Sequence, residues 1–349
     1  MDRSNKRRNI LVIGATGKQG GALVRNLLVL PPPSGQEEWH VYALTRNANG
    51  RPAQQLLEYA AKHHATGRMH LVEGDLGSGQ ESMRGVFQTA AAGEEGGDGL
   101  WGVYVAIAFP GLGTKDESER DQGIMLADLG LEFHVQVFIY SSALQPDPGD
   151  QTVEYSRLMK RDVEKHCKTL GERGLNWVIL QPGFFMENFD GLVGSIAVTL
   201  FQAGLRKDTT IALIASEDIG RVAARVFANP EPYIHKTIGL TSEAVTPIEI
   251  AESYQRATGT TMSRIPLFVG RLLLWLNADA RVVLEDLERH QNARRDGLFE
   301  GYEEEVRLGQ SVCKLQTFEE WVRSRQESSQ DAPDGWNKVS VWKLLTGRS

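Results

Sequence analysis

Two cysteines, Cys167 and Cys313, are too few in a chain of 349 residues for a disulfide framework, and neither stands at metal-ligand spacing from a second cysteine. Histidines do not fill that gap. His63, His64 and His70 are near one another in sequence, but adjacent histidines leave a helix on different sides, and no carboxylate or cysteine completes a ligand set. His166 beside Cys167 has the same defect, so no metal is expected. Basic charge is also short: 38 Lys and Arg stand against 45 Asp and Glu, a formal net charge of -7. The one basic cluster, Arg3 to Arg8, is too short to neutralise a run of phosphates, and no nucleic-acid partner is expected. Long apolar runs are missing as well. Only the short segment Asn9 to Ile13 follows that cluster, which argues against a signal peptide, and Leu267 to Leu284 is interrupted by Arg271, Asn277, Asp279 and Arg281. No membrane association is expected, and a reducing compartment, cytoplasmic or else nuclear, fits best.

Glycine, by contrast, is plentiful at 36 residues, so a glycine motif means something only in context. Gly14-Ala15-Thr16-Gly17-Lys18-Gln19-Gly20 has that context. It follows the apolar, β-branched run Asn9 to Ile13 and precedes Gly21 to Leu28, whose apolar residues recur at helical spacing. In a strand-turn-helix unit the three glycines permit a tight turn, let the backbone approach a pyrophosphate, and let the helix pack closely on its strand. The helix N-terminus then offers unpaired N–H groups to the anion. Residues 14 to 20 are therefore the candidate dinucleotide loop.

Strand-like and helix-like segments alternate through the first half. Strands are expected near 41–44, 69–72, 100–108, 133–140 and 177–180, and helices near 54–64, 78–92, 118–130 and 155–171, with loops at 31–36 and 93–99. This order implies an α/β fold, a Rossmann-type doubly wound parallel sheet with right-handed crossovers and ligands at the carboxyl ends of the strands. The second strand ends in Thr45-Arg46-Asn47, without the acidic residue that reads an NAD ribose; Arg46 suits a 2′-phosphate, hence NADP(H), or is a solvated loop residue. Asp75, after the third strand, either accepts from an adenine amino group or caps the helix that follows.

Gly14 to Gly21, Thr45-Arg46-Asn47, Glu73-Gly74-Asp75, Lys160 with Val163-Glu164, Leu180 to Phe189, Glu217-Asp218-Ile219-Gly220 and Phe318-Glu319-Glu320-Trp321 together resemble the NmrA-like family of atypical short-chain dehydrogenase/reductases. The resemblance spans roughly residues 8 to 325. It implies an NADP(H)-binding Rossmann domain over 1–180, a smaller and mostly helical substrate lobe over 181–325, and a tail, 326–349, beyond the match. The family contains oxidoreductases, often tied to secondary metabolism, and also proteins that bind the nucleotide and act as redox sensors or transcriptional co-regulators.

The catalytic signal is mixed. Related enzymes place a Tyr four residues before a Lys on one helical face, where the Lys holds the nicotinamide ribose and lowers the Tyr pKa. Lys160 matches the lysine, and the resemblance implies a place for it near that ribose. Tyr155 stands five residues before it, about 140° round a regular helix, and Ser156 holds the usual Tyr position. Tyr155 reaches a pocket if the helix begins after it; otherwise it is an aromatic residue at a helix start. Ser141 and Ser142 end the fifth strand, where relatives hold a substrate carbonyl with a serine, though a polar pair there is also ordinary turn chemistry. The resemblance puts Gln181, Pro182 and Phe184 beside the nicotinamide, with Gln181 where the family more often has Arg. Phe184 and Phe185 are pocket wall or core. Residues 266 to 298 read as helices that partly cover a substrate cleft or pack as core. Two functions follow: reduction of a small, fairly apolar carbonyl or alkene by NADPH, or nucleotide sensing through a protein partner.

Overall fold

Alternation of side chains along the first strand decides how the molecule is layered. In β1 (Lys6–Ile13), Ile10 and Val12 enter one fully buried cluster, while Leu11 and Ile13 enter another on the opposite face. β5 (Val137–Ser141) repeats the pattern, with Val137 and Ile139 on the first face and Phe138 and Tyr140 on the second. A strand buried on both faces has to be covered by helices on both, which is the doubly wound arrangement. The computed structural model describes residues 6–31, 37–93, 99–108, 111, 116–145, 155–298 and 301–327.

In order, the first half consists of β1, α1 (Lys18–Val29), β2 (Glu37–Thr45), α2 (Arg51–Lys62), β3 (Met69–Glu73), α3 (Gln80–Ala92), β4 (Leu100–Val105), α4 (Ser118–Glu132), β5, α5 (Tyr155–Gly171) and β6 (Trp177–Pro182). The expected α/β fold is present. Its seven-stranded sheet runs β3-β2-β1-β4-β5-β6-β9 with every pairing parallel, the last strand being β9 (Lys236–Leu240) from the second half.

Several boundaries differ from the sequence expectation. β5 begins at Val137, not Phe133, because α4 runs on to Glu132, Phe133 caps it, and His134 turns the chain at φ +52°. Gly79 at φ +85° separates a short 3₁₀ turn, Leu76–Ser78, from α3, so the helix expected from residue 78 starts at Gln80. β4 stops at Val105. Most of the expected loops at 31–36 and 93–99, and the tail from 328 onward, lie outside the described residues.

After β6 come β7 (Phe184–Phe185), α6 (Gly191–Gly204), β8 (Ile211–Ile214), α7 (Ser216–Ala228), β9, β10 (Glu243–Val245), α8 (Pro247–Thr258), α9 (Leu267–Leu276), α10 (Ala278–Arg295), α11 (Tyr302–Val312) and α12 (Phe318–Glu327). α7 returns to the large sheet's layer and packs on α1: a Cβ on Gly220 would lie 2.4 Å from the Leu23 nitrogen, and Glu217 accepts from Arg25 and Asn26. β9 joins the large sheet and α11 packs on it, where a Cβ on Gly309 would lie 2.3 Å from the Gly239 oxygen, while the other elements surround a small sheet, β10-β8-β7, and a core that includes Met186, Phe189, Phe201, Phe318 and Trp321. Each such side chain contributes about 1.5–3 kcal/mol by leaving water, so this lobe has a core of its own. Among the described residues no helix is long and apolar enough to cross a membrane.

Candidate active site

A cleft of about 870 Å³ opens at the carboxyl ends of the large sheet's strands, within the range of small-molecule and cofactor sites. The glycine loop forms one wall. Gly14 sits at φ +79°, and a Cβ there would meet the Ala106 carbonyl oxygen at 2.2 Å. A Cβ on Gly20 would lie 2.3 Å from the Gly14 oxygen, so Gly20 is required by the loop itself and Gly14 by its positive φ and the Ala106 backbone beside it. Gly17 is different. It is the N-cap of α1 with ordinary extended geometry, its N–H closes the turn on Gly14 O at 2.9 Å, and a Cβ would meet nothing nearer than 3.1 Å.

The N-cap of α1 makes no side-chain hydrogen bond and no acidic residue lies in its first turn, so the helix start that lines the cleft has no local side-chain acceptor for its leading N–H groups. Lys18 lines the same spot. Burial pulls its pKa down, while Glu187 and Asp190 across the lobe boundary partly restore it. Gly14, Thr16, Gly17, Lys18, Gln19 and Gly20 all line the cleft, whereas Ala15 is fully buried beneath them. Gln19 is held from below, its Oε1 accepting from Ser141 Oγ at 2.6 Å and from the Tyr104 hydroxyl at 3.3 Å.

Arg46 and Asp75 also line the cleft, at the ends of β2 and β3. Arg46 is exposed there, and no acidic side chain stands at the end of β2; the nearby Glu73 is occupied with the Ala48 N–H at 2.8 Å. Asp75 accepts from the Gly77 N–H at 2.9 Å, so it caps the 3₁₀ turn rather than α3 while still bordering the cleft. Opposite, Lys160 of α5 lines the cleft and is ion-paired with Glu119 of α4, whose side chain is 2% exposed. One turn on, the buried Glu164 accepts from the Ser142 hydroxyl and, through both oxygens at 3.0 Å, from the Gln181 amide. Burial raises the Glu164 pKa, against the lowering effect of those hydrogen bonds. The group pins α5 to the ends of β5 and β6.

A parallel sheet of this order, a glycine loop on an uncapped helix and a lysine facing it across the strand ends suit a dinucleotide. The NmrA-like family matches residues 6–322. The chain belongs to that family. An NmrA-like family domain-containing protein of Dictyostelium discoideum is 22% identical over 339 residues, covering 90% of this chain and 97% of its own. The NmrA-like family domain-containing oxidoreductase ptmS of Penicillium ochrochloron is 25% identical over 272 residues, 72% of this chain and 74% of its own. Among solved structures, NmrA, a negative transcriptional regulator crystallised with NADP, superposes with a TM-score of 0.61 at 19% identity, covering 95% of this chain and 99% of its own.

Against the NmrA-like pattern, three expected site residues sit differently from the sequence expectation. α5 begins at Tyr155, and its hydroxyl reaches Glu117 Oε1 at 3.4 Å; Tyr155 is not among the residues lining the cleft. Its spacing from Lys160 turns it away, as helical geometry requires. Gln181 is buried on Glu164 and does not line the cleft either; its amide reaches both oxygens of that carboxylate, one of which also accepts from Ser142. Ser142 does line the cleft, but its O–H is directed to Glu164. Pro182 and Phe184 line the cleft, and Phe184 also packs edge-on against Phe189 and Phe201, so wall and core are the same residue.

Glu119, Arg157, Asp286 and His290 were not singled out from sequence. Glu119 meets Lys160 across 41 residues, and no local pattern reports such a pair. Asp286 and His290 carry a faint signal: they stand four apart on α10, within the segment expected to cover a cleft, and both line it together with Leu287.

Proposed function

We propose that this protein is an NADP(H)-dependent oxidoreductase that reduces a small, fairly apolar carbonyl or alkene compound, of the kind met in secondary metabolism. The observation that carries the proposal is the continuity of one cleft. It runs from the α1 N-terminus and Arg46, past Lys160, to an apolar wall that includes Leu144, Phe184 and Phe185. The site fits the nucleotide: the uncapped α1 N–H groups and Lys18 suit a pyrophosphate, and Gly17, exposed at the N-cap where it lines the cleft, adds no side chain there. Bound there, NADPH supplies a hydride. Arg46 pairs with a 2′-phosphate, which a carboxylate in its place would repel. Lys160, steadied by Glu119, donates to ribose hydroxyls, and Glu164 fixes the turn of α5 from which it projects. Phe184 and Phe185 exclude water and set an apolar body against the cofactor. Oxidoreductase relatives such as ptmS support the proposal by name.

A second reading is a nucleotide sensor or transcriptional co-regulator acting through a protein partner. It is favoured by the commitment of the Ser141, Ser142 and Tyr155 hydroxyls to neighbouring side chains, which leaves the usual proton donor without a counterpart among these three described residues. NADPH oxidation across a panel of apolar ketones, enones and quinones separates the two. Turnover with any member supports the reductase. No turnover, with NADPH altering proteolysis, supports the sensor.

A further inference from the structure

α9 has the composition of a buried helix without the surroundings of one. Arg271 is the one polar side chain in Leu267–Leu276, so the helix is apolar nearly all round, a pattern that ordinarily goes with enclosure on every side. One side is enclosed. A Cβ on Gly270 would lie 2.7 Å from Thr199 Cγ2 of α6, and Leu274 is buried in the core of the second lobe. The other side is open: Trp275 is 74% exposed and Phe268 71%, and with Leu272 and Leu276, each at least half exposed, they form a row at positions i, i+4, i+7 and i+8. Single apolar residues on a surface need no explanation, but four large ones on two turns mark a contact. At the C-terminal end of the helix, Leu274, Val282 and Leu284 line a groove of about 770 Å³, with room for an indole.

Chain able to cover this face starts nearby. α12 ends at Glu327, and Arg325 in its last turn is ion-paired with Asp190, the N-cap of α6, at 2.6 Å. α9 lies along the same α6, against Thr199, which at the helical rise is about 14 Å beyond Asp190. Residues 328–335 can span about 26–29 Å when extended, enough for that distance and the width of one helix. They are followed by Trp336, Val339, Trp342 and Leu345, a row of large apolar residues at every third position. Charge agrees with reach. Asp331 and Asp334 are the charged residues of 328–335, and the exposed Arg264 and Arg271 stand beside and within the row on α9. A second copy suits the face less well, because an isologous contact through it would bring Arg271 toward its own counterpart.

We propose that residues 336–345 of this chain dock on the exposed face of α9, the two indoles covering Phe268 and Trp275 and the acidic stretch before them meeting Arg271. The contact is intramolecular, so a linker this short supplies an effective concentration of about a millimolar, and docking needs no more affinity than a weak free peptide would show. It also braces the substrate end of the cleft from behind: α9 passes into α10 through Asn277, and α10 carries Leu287 at the cleft. Neither the reductase nor the sensor reading is required for it.

Photocrosslinking of the full chain is the test. p-Benzoylphenylalanine is incorporated in place of the exposed Phe268, isotopically light and heavy chains are mixed in equal amounts at micromolar concentration, and the adducts are mapped by mass spectrometry. Adducts are expected on residues 336–345, with both halves carrying the same isotope. Trp336→Ser/Trp342→Ser, which changes nothing in the body of the protein, is expected to lower their yield at least tenfold. Isotopically mixed adducts would put a second copy on α9, adducts elsewhere on the chain or none at all would leave the face to another occupant, and a yield unmoved by the double substitution would mean encounter without docking; each overturns the proposal. So does sedimentation of the wild type with vesicles of phosphatidylcholine and phosphatidylglycerol that Trp275→Asp abolishes, which would give the face to a lipid surface.

Discussion

Gly17→Val separates the nucleotide cradle from the scaffold that holds it. Gly14 and Gly20 cannot make that separation, because a Cβ at either meets backbone oxygen at 2.2–2.3 Å and the loop itself must move. At Gly17, φ is -85° and the nearest atom to a new Cβ is Gly14 O at 3.1 Å, so a side chain fits the fold with only a small adjustment. Val is a poor N-cap, and the expected stability cost is about 1 kcal/mol. Binding should suffer far more. A branched side chain on the exposed N-cap stands between the α1 N–H groups and the phosphates. Losing two charge-assisted hydrogen bonds at about 1.5–3 kcal/mol each amounts to about 3 kcal/mol or more. That is a loss on the order of a hundredfold or more in NADPH affinity. NADPH fluorescence titration beside urea unfolding measures both quantities on one preparation, with Gly20→Val as the control expected to lose fold and binding together. A Gly17→Val protein that unfolds like the wild type and binds NADPH within threefold of it would refute the placement of the pyrophosphate.

Lys160→Ala alone is a poor probe, since it strands the buried Glu119 carboxylate at a cost of about 3–5 kcal/mol. Lys160→Met/Glu119→Gln removes the pair together and, once a substrate is in hand, should lower NADPH oxidation about a hundredfold or more with the fold retained, as circular dichroism and kcat report. Tyr155→Phe should cost less than about tenfold in kcat, because the hydroxyl is turned toward Glu117; a larger loss would make Tyr155 the proton donor. Burial raises the Glu305 carboxyl to about 7 from its ordinary 4.5, so the folded state holds that proton more tightly than the unfolded chain does. Stability should fall as pH rises from about 4.5 through 7, and Glu305→Gln should remove that slope. Because Glu305 is partly exposed, the gain at pH 8 discounts to about 1 kcal/mol, readable as a difference in urea midpoint.

The first half of the fold was legible because its information is local. Ile10 to Ile13 alternates between two buried faces, and Gly14, Gly17 and Gly20 mark a turn by their spacing, although the close approach at Gly14 is to Ala106 beyond β4. The boundary at Phe133 was not, since β-forming residues there are overruled by the C-terminal capping of α4 and a positive φ at His134. The nucleotide end of the site was read from its loop and from Arg46. Toward the substrate end Lys160, Ser142 and Gln181 were named from the resemblance, but the partners that fix them were not visible, because each pair is made far along the chain: Lys160 with Glu119, and Ser142 and Gln181 with Glu164; Arg157 and Asp286 were not singled out at all. Motif spacing could show that Tyr155 was wrongly phased for Lys160, but not where its hydroxyl would go. β9 escaped notice for the same reason, its place being set by pairing with β6 across more than fifty residues.

The relative affinity of the wild-type chain for NADPH and NADH decides which nucleotide this cleft is built for. Arg46 at the cleft rim, with no carboxylate at the end of β2, is expected to make NADPH bind at least tenfold tighter, about 1.4 kcal/mol, and Arg46→Glu is expected to erase the difference. Equal affinities in the wild type, or binding of neither nucleotide, would contradict an NADP(H) site in this cleft.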